Sequence, residues 1–228
     1  MSIPQKALQT FSDALDKPTR TQAMTKAKIS CTCGSVSLEL EESEQLASVR
    51  CGCIDCKNTQ AKLQEKGGQA VKDLLRAVYF KVNKFSITDN KKGEAAKALK
   101  KNNSSETTRI VCTECHSILA CHHPMYRKGV FSVPVDYVQL NFPVTIQPQC
   151  YVGLIDFNGD PTLVDPSMPA FNSFREPQDV MRFLALERFK DVIATEKGST
   201  ASLIKTAIDK LPTVYLETYP KSFSPKSI

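Results

Sequence analysis

The cysteines of this chain are concentrated in three short motifs. Seven of the nine lie in the sequences CTC, CGCIDC and CTEC, while Cys121 and Cys150 stand apart from them. The motif residues are Cys31 and Cys33, then Cys51, Cys53 and Cys56, then Cys112 and Cys115. Cysteines spaced by one or two residues supply two thiolate ligands from a single turn, which is the ligand pattern of protein zinc sites. The spacing therefore predicts zinc.

Counting ligands divides the motifs into two predicted zinc sites of different kinds. The first and third motifs together supply four thiolates, which complete a closed, structural site. The middle motif supplies three and keeps a fourth position for water or substrate, as catalytic zinc does. Three thiolates make zinc a weak Lewis acid, better suited to capturing a thiol than to making a reactive hydroxide. The structural ligands are then Cys31, Cys33, Cys112 and Cys115, and the catalytic ligands are Cys51, Cys53 and Cys56.

Other interpretations of the same residues stay open. A fourth ligand from elsewhere would close the second site and leave a binding or scaffolding module without chemistry, the candidates being Cys121, His116, His122 and His123. A disulfide framework suits secreted chains, and a redox role for CTEC would need a βαβ context that is missing here. Arg109 and Arg127 are candidates for holding a substrate carboxylate, although exposed arginines are common. No motif names a proton-transfer group.

Composition places the chain among ordinary globular proteins. It has 228 residues, a hydrophobic fraction of 41%, a net charge of +6 and a pI of about 8.8. That mildly basic balance suits an anionic small molecule or a weak nucleic-acid surface and specifies neither. No apolar run approaches the roughly 18 residues that span a bilayer, and no secretion signal precedes the first motif. Nine cysteines in such a chain favour a reducing compartment, so we expect the cytoplasm, with the nucleus as the alternative.

Short strands are predicted to position the motifs. Alternating apolar residues and β-branched or aromatic content predict strands at residues 34–41, 78–87, 129–133 and 137–140. Residues 42–50 are interpreted as a connection, and residues 57–68 as a polar segment that ends in a Gly-Gly turn. Residues 89–108 form a polar insertion, in which alanine, leucine and lysine predict a helix at 94–101. Recurrent proline makes residues 141–170 loop-rich, with short edge strands.

Three regions follow from this pattern. Residues 1–27 are a polar leader, residues 28–175 are the zinc-binding domain, and residues 176–228 are a helical extension. Amphipathic spacing predicts an extension helix of about four turns at 177–193 and a second helix at 199–211. We expect these helices to pack on the domain or to form a homodimer.

The motif order resembles the glutathione-dependent formaldehyde-activating enzyme family, which also contains centromere protein V. The matching stretches are CTCGSV at 31–36, CGCIDC at 51–56 and CTEC at 112–115, and the resemblance extends over about residues 28–175. It implies an Mss4-like fold, mainly β, of twisted antiparallel sheets stapled by two zinc ions per chain. It also implies the division into structural and reactive cysteines reached above. The family's activity joins formaldehyde to glutathione.

Several features depart from the family pattern. His116 stands where a glycine commonly follows the last motif, the insertion at 89–108 lengthens the approach to that motif, and tryptophan is absent. With its loops altered around an intact cysteine set, the chain is predicted to be a zinc-dependent carbon–sulfur lyase acting on a small thiol and a small carbonyl. Nucleic acid and membranes are not expected partners. The alternatives are a non-enzymatic zinc module that binds chromatin or protein, and a zinc-dependent hydrolase of a small substrate.

Overall fold

The computed structural model describes residues 24–173, 177–194 and 203–219. Twelve strands within these ranges form a mixed, twisted sheet whose main path runs β11-β10-β2-β3-β8-β7-β6-β5-β12, with β1, β4 and β9 added beside β2 and β1. The strands are β1 (Met24–Ser30), β2 (Val36–Cys51), β3 (Leu75–Lys81), β4 (Lys84–Asp89), β5 (Ala96–Lys100), β6 (Thr108–Cys112), β7 (Ile118–His122), β8 (Val130–Pro134), β9 (Gln139–Leu140), β10 (Cys150–Val152), β11 (Ala170–Phe171) and β12 (Thr213–Tyr215). The prediction of a mainly β fold is confirmed.

Helices are few and short. The α-helices are α1 (Ile54–Gln64), α2 (Pro177–Ala185) and α3 (Leu203–Ile208), and single 3-10 turns occur at Val135–Tyr137, Leu154–Asp156, Pro161–Leu163, Glu187–Phe189 and Leu216–Thr218. No helix in the described ranges has the length and apolar character needed to cross a membrane.

Strand β2 is long and pairs with four other strands. It is 16 residues long, and its register shifts between Gln45 and Ala47, which divides it into two halves. The first half pairs with β1 and β4, and the second half pairs with β3 and β10. The predicted strand at 34–41 is therefore only the first half, and residues 42–50 continue it instead of forming a connection. As a result, Cys51 is the last residue of a strand.

The sheet is mixed, although antiparallel sheets were predicted. Three pairings are parallel, namely β2 with β10, β10 with β11, and β5 with β12. All three involve short strands of two or three residues that lie after residue 149 and join the sheet at its edges. Residues 141–170 are otherwise irregular, as predicted, because their prolines leave backbone positions without a donor.

The predicted helix at 94–101 is wrong. Residues Ala96–Lys100 form β5, which pairs with β6 on one side and with β12 on the other. Ala96, Ala98 and Leu99 are buried there, so tertiary packing overrides the helical propensity of alanine, leucine and lysine. The segment is therefore an integral strand one position from the end of the sheet, and not a solvated excursion.

Other predicted elements need smaller corrections. The strand predicted at 78–87 is interrupted at residues 82–83 and divided between β3 and β4, which both pair antiparallel with β2. Residues 57–68, interpreted as a polar segment, belong largely to α1. Of residues 137–140 only the last two form a paired strand, β9, whereas β8 confirms the strand at 129–133. In place of the four-turn helix predicted at 177–193, the structure has α2, nine residues long, followed by a 3-10 turn. Of the helix predicted at 199–211, the described part contains α3, and residues 195–202 lie outside the described ranges. Residues 1–23 of the predicted leader also lie outside the described ranges. Strand β1 begins within the remaining leader residues, 24–27.

The main core lies beneath β2 and its neighbours. Phe80 of β3 stacks on Phe131 of β8 with 5.8 Å between ring centroids, and Phe85 of β4 meets Phe131 edge-on at 5.4 Å. Ile204 and Ile208 of α3 belong to the same buried cluster. The chain after residue 176 thus contributes to the interior of the domain.

A second cluster binds α2 to the sheet. Phe183 of α2 lies 4.2 Å from Phe189 between ring centroids, and Phe189 meets Tyr79 of β3 edge-on at 6.0 Å. At the other end, β12 extends the sheet beside β5, and Tyr219 packs in a third cluster with Leu63 of α1. The region predicted as an extension therefore packs on its own domain; a homodimer through its helices stays a prediction.

This packing predicts that the C-terminal region is required for stability. Phe189→Ala removes a fully buried ring, so it should lower the free energy of unfolding by about 3–5 kcal/mol. Met181→Ala on α2 is the control, because Met181 is 66% exposed, and it should change that free energy by no more than about 0.5 kcal/mol. Urea unfolding monitored by circular dichroism compares the two. Equal midpoints would show that this region is not part of the cooperative unit.

Candidate metal centres

Two turns bring the four cysteines of the first group together. The turn between β1 and β2 carries Cys31 and Cys33. Cys112 is the last residue of β6, and Cys115 lies in the turn that connects β6 to β7. Their four sulfur atoms lie within 4.8 Å of one another, so this group could hold a metal ion. The predicted structural set is thus assembled from segments 79 residues apart in the sequence.

Short polar contacts surround the sulfurs of this group. The backbone N–H of Val36 donates to the Cys31 sulfur at 3.2 Å. The hydroxyl of Ser35 lies 3.4 Å from the sulfur of Cys33, and that of Ser117 lies 3.3 Å from the sulfur of Cys115. The Val36 N–H is a donor to sulfur, and such donors stabilise the thiolate charge that metal ligation requires.

The second group is built where a strand gives way to a helix. Cys51 ends β2, Cys53 is the N-cap of α1, and Cys56 lies in the first turn of that helix. The three sulfur atoms lie within 4.8 Å of one another, and among the described residues no further cysteine, histidine or carboxylate joins the group. The amino terminus of a helix carries a partial positive charge, which favours a thiolate at Cys56 in its first turn.

Sulfur separations in both groups fit zinc. A tetrahedral zinc ion with bonds of about 2.3 Å to sulfur places its ligands about 3.8 Å apart. The measured separations are 3.5 Å for Cys31–Cys33 and 3.7 Å for Cys33–Cys112 in the first group. In the second group they are 3.3 Å for Cys51–Cys53 and 3.8 Å for Cys51–Cys56. These distances greatly exceed a disulfide bond of about 2.05 Å, and all nine cysteines are free thiols.

Strand β10 fixes the position of the second group. Its parallel pairing aligns Cys51 with Val152, and the backbone N–H of Gly52 donates to the Val152 carbonyl at 2.9 Å. The next residue, Gly153, has φ of 70°, and a Cβ built on it would lie 2.5 Å from the Cβ of Cys53. Nothing in the sequence distinguishes Gly153 from other loop glycines, so its role became visible only in the structure.

A buried arginine lies against the second group. Arg109 of β6 is only 5% exposed, and its positive charge is one of the causes that lower the pKa of the Cys56 thiol. Hydrogen bonds from Cys51 and Cys53, followed by Arg109, lower the pKa of the Cys56 thiol, whereas hydrogen bonding with Cys53 and Cys56 raises the pKa of Cys51.

Further polar side chains extend from Arg109 across the sheet. Strand pairing places Arg109 opposite Cys121 of β7, Cys121 opposite Ser132 of β8, and Ser132 opposite Tyr79 of β3. The Tyr126 hydroxyl lies 3.5 Å from the Ser132 hydroxyl. Burial raises the pKa of Tyr79 and of Tyr126, so both phenols stay neutral and able to donate a proton or hydrogen bond. The sequence had pointed to none of these phenols.

The other candidate ligands lie elsewhere. Cys121 is beside Arg109, but its sulfur is not within the three-sulfur group. His122 is buried with its pKa lowered to about 4 by desolvation, and His123 pairs with Glu106 at 3.5 Å. Arg127 donates from its Nε to the carbonyl of Lys190, next to α2. These positions leave the second group with three cysteine ligands among the described residues.

His116 adopts a backbone conformation that suits glycine. Its φ is 56°, in the left-handed region, where a side chain costs about 1 kcal/mol or more. Its Nδ1 lies 3.3 Å from the hydroxyl of Tyr219, and the two rings meet edge-on at 5.6 Å between centroids. His116, which replaces the glycine of the family pattern, thus makes a contact that holds the C-terminal region against the turn of the first group.

Comparison with known proteins gives one family. The sequence model of "Glutathione-dependent formaldehyde-activating enzyme" matches residues 26–152, which is more than half of the chain. No match to an individual curated protein was found. A crystal structure of a Rhodobacter sphaeroides protein is similar over 63% of this chain and 98% of that chain, with 14% identity and a TM-score of 0.33. A similarity as remote as this one supports no inference about function.

The contact between Gly153 and Cys53 generates a prediction about metal binding. In Gly153→Ala the new methyl group would displace Cys53, so the second group should lose its metal while the first group keeps its own. Gly93→Ala is the matched control, because Gly93 also has positive φ, of 86°, but a Cβ there meets nothing within 4 Å. Zinc content after dialysis measures the difference.

Both variants should share a backbone cost of about 1–2 kcal/mol in the free energy of unfolding. A Gly153→Ala protein that keeps as much metal as Gly93→Ala would contradict the placement of the second group.

Proposed function

We propose a function on the premise that this chain belongs to the glutathione-dependent formaldehyde-activating enzyme family, whose sequence model matches residues 26–152. We infer that it is a zinc-dependent carbon–sulfur lyase, which forms or cleaves an adduct between a small thiol such as glutathione and a small carbonyl such as formaldehyde. In the forming direction a bond joins sulfur to the carbonyl carbon, and the thiol proton passes to the carbonyl oxygen. Cleavage reverses both changes.

The three-sulfur group at the start of α1 is the observation that carries this proposal. Four thiolates complete a tetrahedral zinc site, whereas three leave one position for a ligand from solution. Cys51, Cys53 and Cys56 are each partly exposed, so a small molecule can approach them. In the first group two of the four cysteines are fully buried and Cys33 is exposed, but its four sulfurs leave no position for a further ligand. The number of ligands therefore suits the two sets to different roles, one reactive and one structural.

Zinc fits both groups by donor type and by sulfur separation, as described above. A zinc ion held by Cys51, Cys53 and Cys56 would supply Lewis acidity that keeps the substrate sulfur deprotonated at neutral pH. The chain contributes the rest. The α1 amino terminus and Arg109 offset the negative charge of the sulfurs, and the pairing of β2 with β10 holds Cys51 and Cys53 in place.

The rim of the second group is formed by the loop after β10. Asp156 accepts a hydrogen bond from the backbone N–H of Ile54 at 3.3 Å, and Lys57 donates to the side chain of Asn158 at 2.5 Å. Ile54 and Ile155 are exposed on this rim. A substrate reaching the sulfurs would pass beside these side chains, which offer both apolar surface and a cation. The cytoplasmic setting and the homodimer stay predictions.

Cys53→Ser tests the proposal directly. Removing one of three ligands should lower turnover of glutathione with formaldehyde at least about 100-fold while leaving the fold largely intact. Zinc content should fall from about two ions per chain to about one. Formation of the adduct, followed by proton NMR, and metal analysis of the same sample provide the two readouts.

Cys150→Ala is the matched control for this experiment. Cys150 is a buried free thiol of β10 and belongs to neither group, so its variant should keep both ions and wild-type turnover. Full activity in Cys53→Ser would contradict the assignment of the second group as the reactive metal site. Turnover of a small ester without any thiol would indicate hydrolysis instead, and an inactive wild-type protein with both ions bound would indicate a non-enzymatic module.

A further inference from the structure

The side chain of Lys57 begins beside a cysteine of the second group. Its backbone N–H donates to the carbonyl of Cys53 at 3.1 Å, which places Lys57 one helical turn after Cys53 on the same face of α1. Side chains spaced in this way have Cβ atoms about 5–6 Å apart. A cation on a flexible stem therefore stands next to the three sulfurs.

The ammonium of Lys57 is paired with an acid from another segment. Its Nζ lies 3.5 Å from the carboxylate of Asp73, and it donates to the amide oxygen of Asn158 at 2.5 Å. The side chain of Lys57 is 26% exposed and that of Asp73 is 47% exposed, so a ligand from solution can reach both charges. We call Lys57 and Asp73 the charged pair. An ion pair as exposed as this one contributes little to stability, so support of the fold does not account for it.

The segments that carry these side chains also surround the second group. Gly52 stands between two cysteines of that group, and a Cβ built on it would lie 3.3 Å from the side chains of Leu74 and Phe157. Leu74 follows Asp73 in the chain, and Phe157 precedes Asn158. The contacts that fix the three-sulfur group therefore also hold the charged pair at its edge.

Two opposite charges side by side fit a ligand group that carries both. An α-amino acid group has a carboxylate and an ammonium on one carbon, so its carboxylate can accept from Lys57 while its ammonium donates to Asp73. Because the existing pair is exposed and weak, a ligand that satisfies both charges replaces it at small cost. A carboxylate alone is repelled by Asp73, and an amine alone is repelled by Lys57. The charged pair thus favours a zwitterion over either single charge.

We propose that the charged pair is a specificity determinant that binds the α-amino acid group of the thiol substrate, with Lys57 taking the carboxylate and Asp73 the ammonium. The inference rests on the proposed function, because the same molecule brings its sulfur to the second group. It names the substrate class as thiols that carry a zwitterionic amino acid group. Uncharged thiols and thiols with negative charges alone are disfavoured.

Kinetics with three thiols and formaldehyde test the charged pair. Glutathione carries a free amino acid group, N-acetylglutathione lacks its ammonium, and 2-mercaptoethanol lacks both charges. In Lys57→Gln the ratio of kcat/KM for glutathione to that for 2-mercaptoethanol should fall about tenfold, as expected for the loss of a hydrogen bond between charged groups. In Asp73→Asn the ratio for glutathione to N-acetylglutathione should fall by about the same factor.

Lys62 and Glu65 provide the matched control. They form an ion pair at 2.9 Å that belongs to the same helix and its C-cap. Lys62 follows Cys53 by about two and a half turns, which places it on the opposite face of α1. Lys62→Gln and Glu65→Gln remove the same charges as the two test substitutions, and both ratios should stay within about twofold of wild type.

Binding of S-methylglutathione is a second readout that does not depend on turnover. This molecule keeps the amino acid group but has no thiol to ligate a metal, so its affinity reports on the charged pair. Calorimetric titration should give a dissociation constant about tenfold higher for Lys57→Gln and for Asp73→Asn than for Lys62→Gln.

The outcomes separate this inference from the proposed function. If the wild-type protein joins none of the three thiols to formaldehyde, the proposed function fails, while titration with S-methylglutathione still tests the charged pair. Equal affinities for S-methylglutathione in Lys57→Gln, Asp73→Asn and Lys62→Gln would overturn the inference. A loss of kcat/KM of the same size for charged and uncharged thiols would overturn it as well, because the pair would then only support the loop after β10.

Discussion

The mutual approach of thiol sulfurs is the constraint on which the rest of this structure depends. Sulfurs held 3.3–3.8 Å apart repel one another as thiolates unless a cation compensates them. Each group must therefore be fixed by elements that are rigid without help from the sulfurs themselves. For the first group these are two turns, between β1 and β2 and between β6 and β7, which the sheet brings together. For the second, the end of a strand continues into the start of α1.

Strand β2 couples the two groups to each other. It begins at Val36, directly after the turn that carries Cys31 and Cys33, and it ends at Cys51. Because both groups sit at the ends of one strand, a shift of its register would displace both. The bend between its halves lets one strand serve two sets of partners: β1 and β4 support the end nearer the first group, while β3 and β10 support the end that carries the second.

Local patterns in the sequence were sufficient to predict which cysteines come together, because each motif places two or three cysteines within six residues. The surroundings were less accessible, since they depend on contacts distant in sequence. Gly153, for example, meets Cys53 only through the pairing of β10 with β2. The wrong prediction of a helix at β5 also results from contacts between residues distant in the sequence. A segment rich in alanine and lysine becomes a strand when two neighbouring strands and a buried face require it.

Charge explains why the two groups need different surroundings. Four thiolates around a dication would leave two negative charges. In the first group, hydroxyls and a backbone N–H lie beside the sulfurs, and Cys33 is open to solvent. Three thiolates leave one negative charge, which a single guanidinium can balance. On the proposed function an incoming thiolate adds one more, so a resting site close to neutrality would accept an anionic sulfur more readily. Arg109 is a positive charge held inside the sheet, where salt and water screen it little.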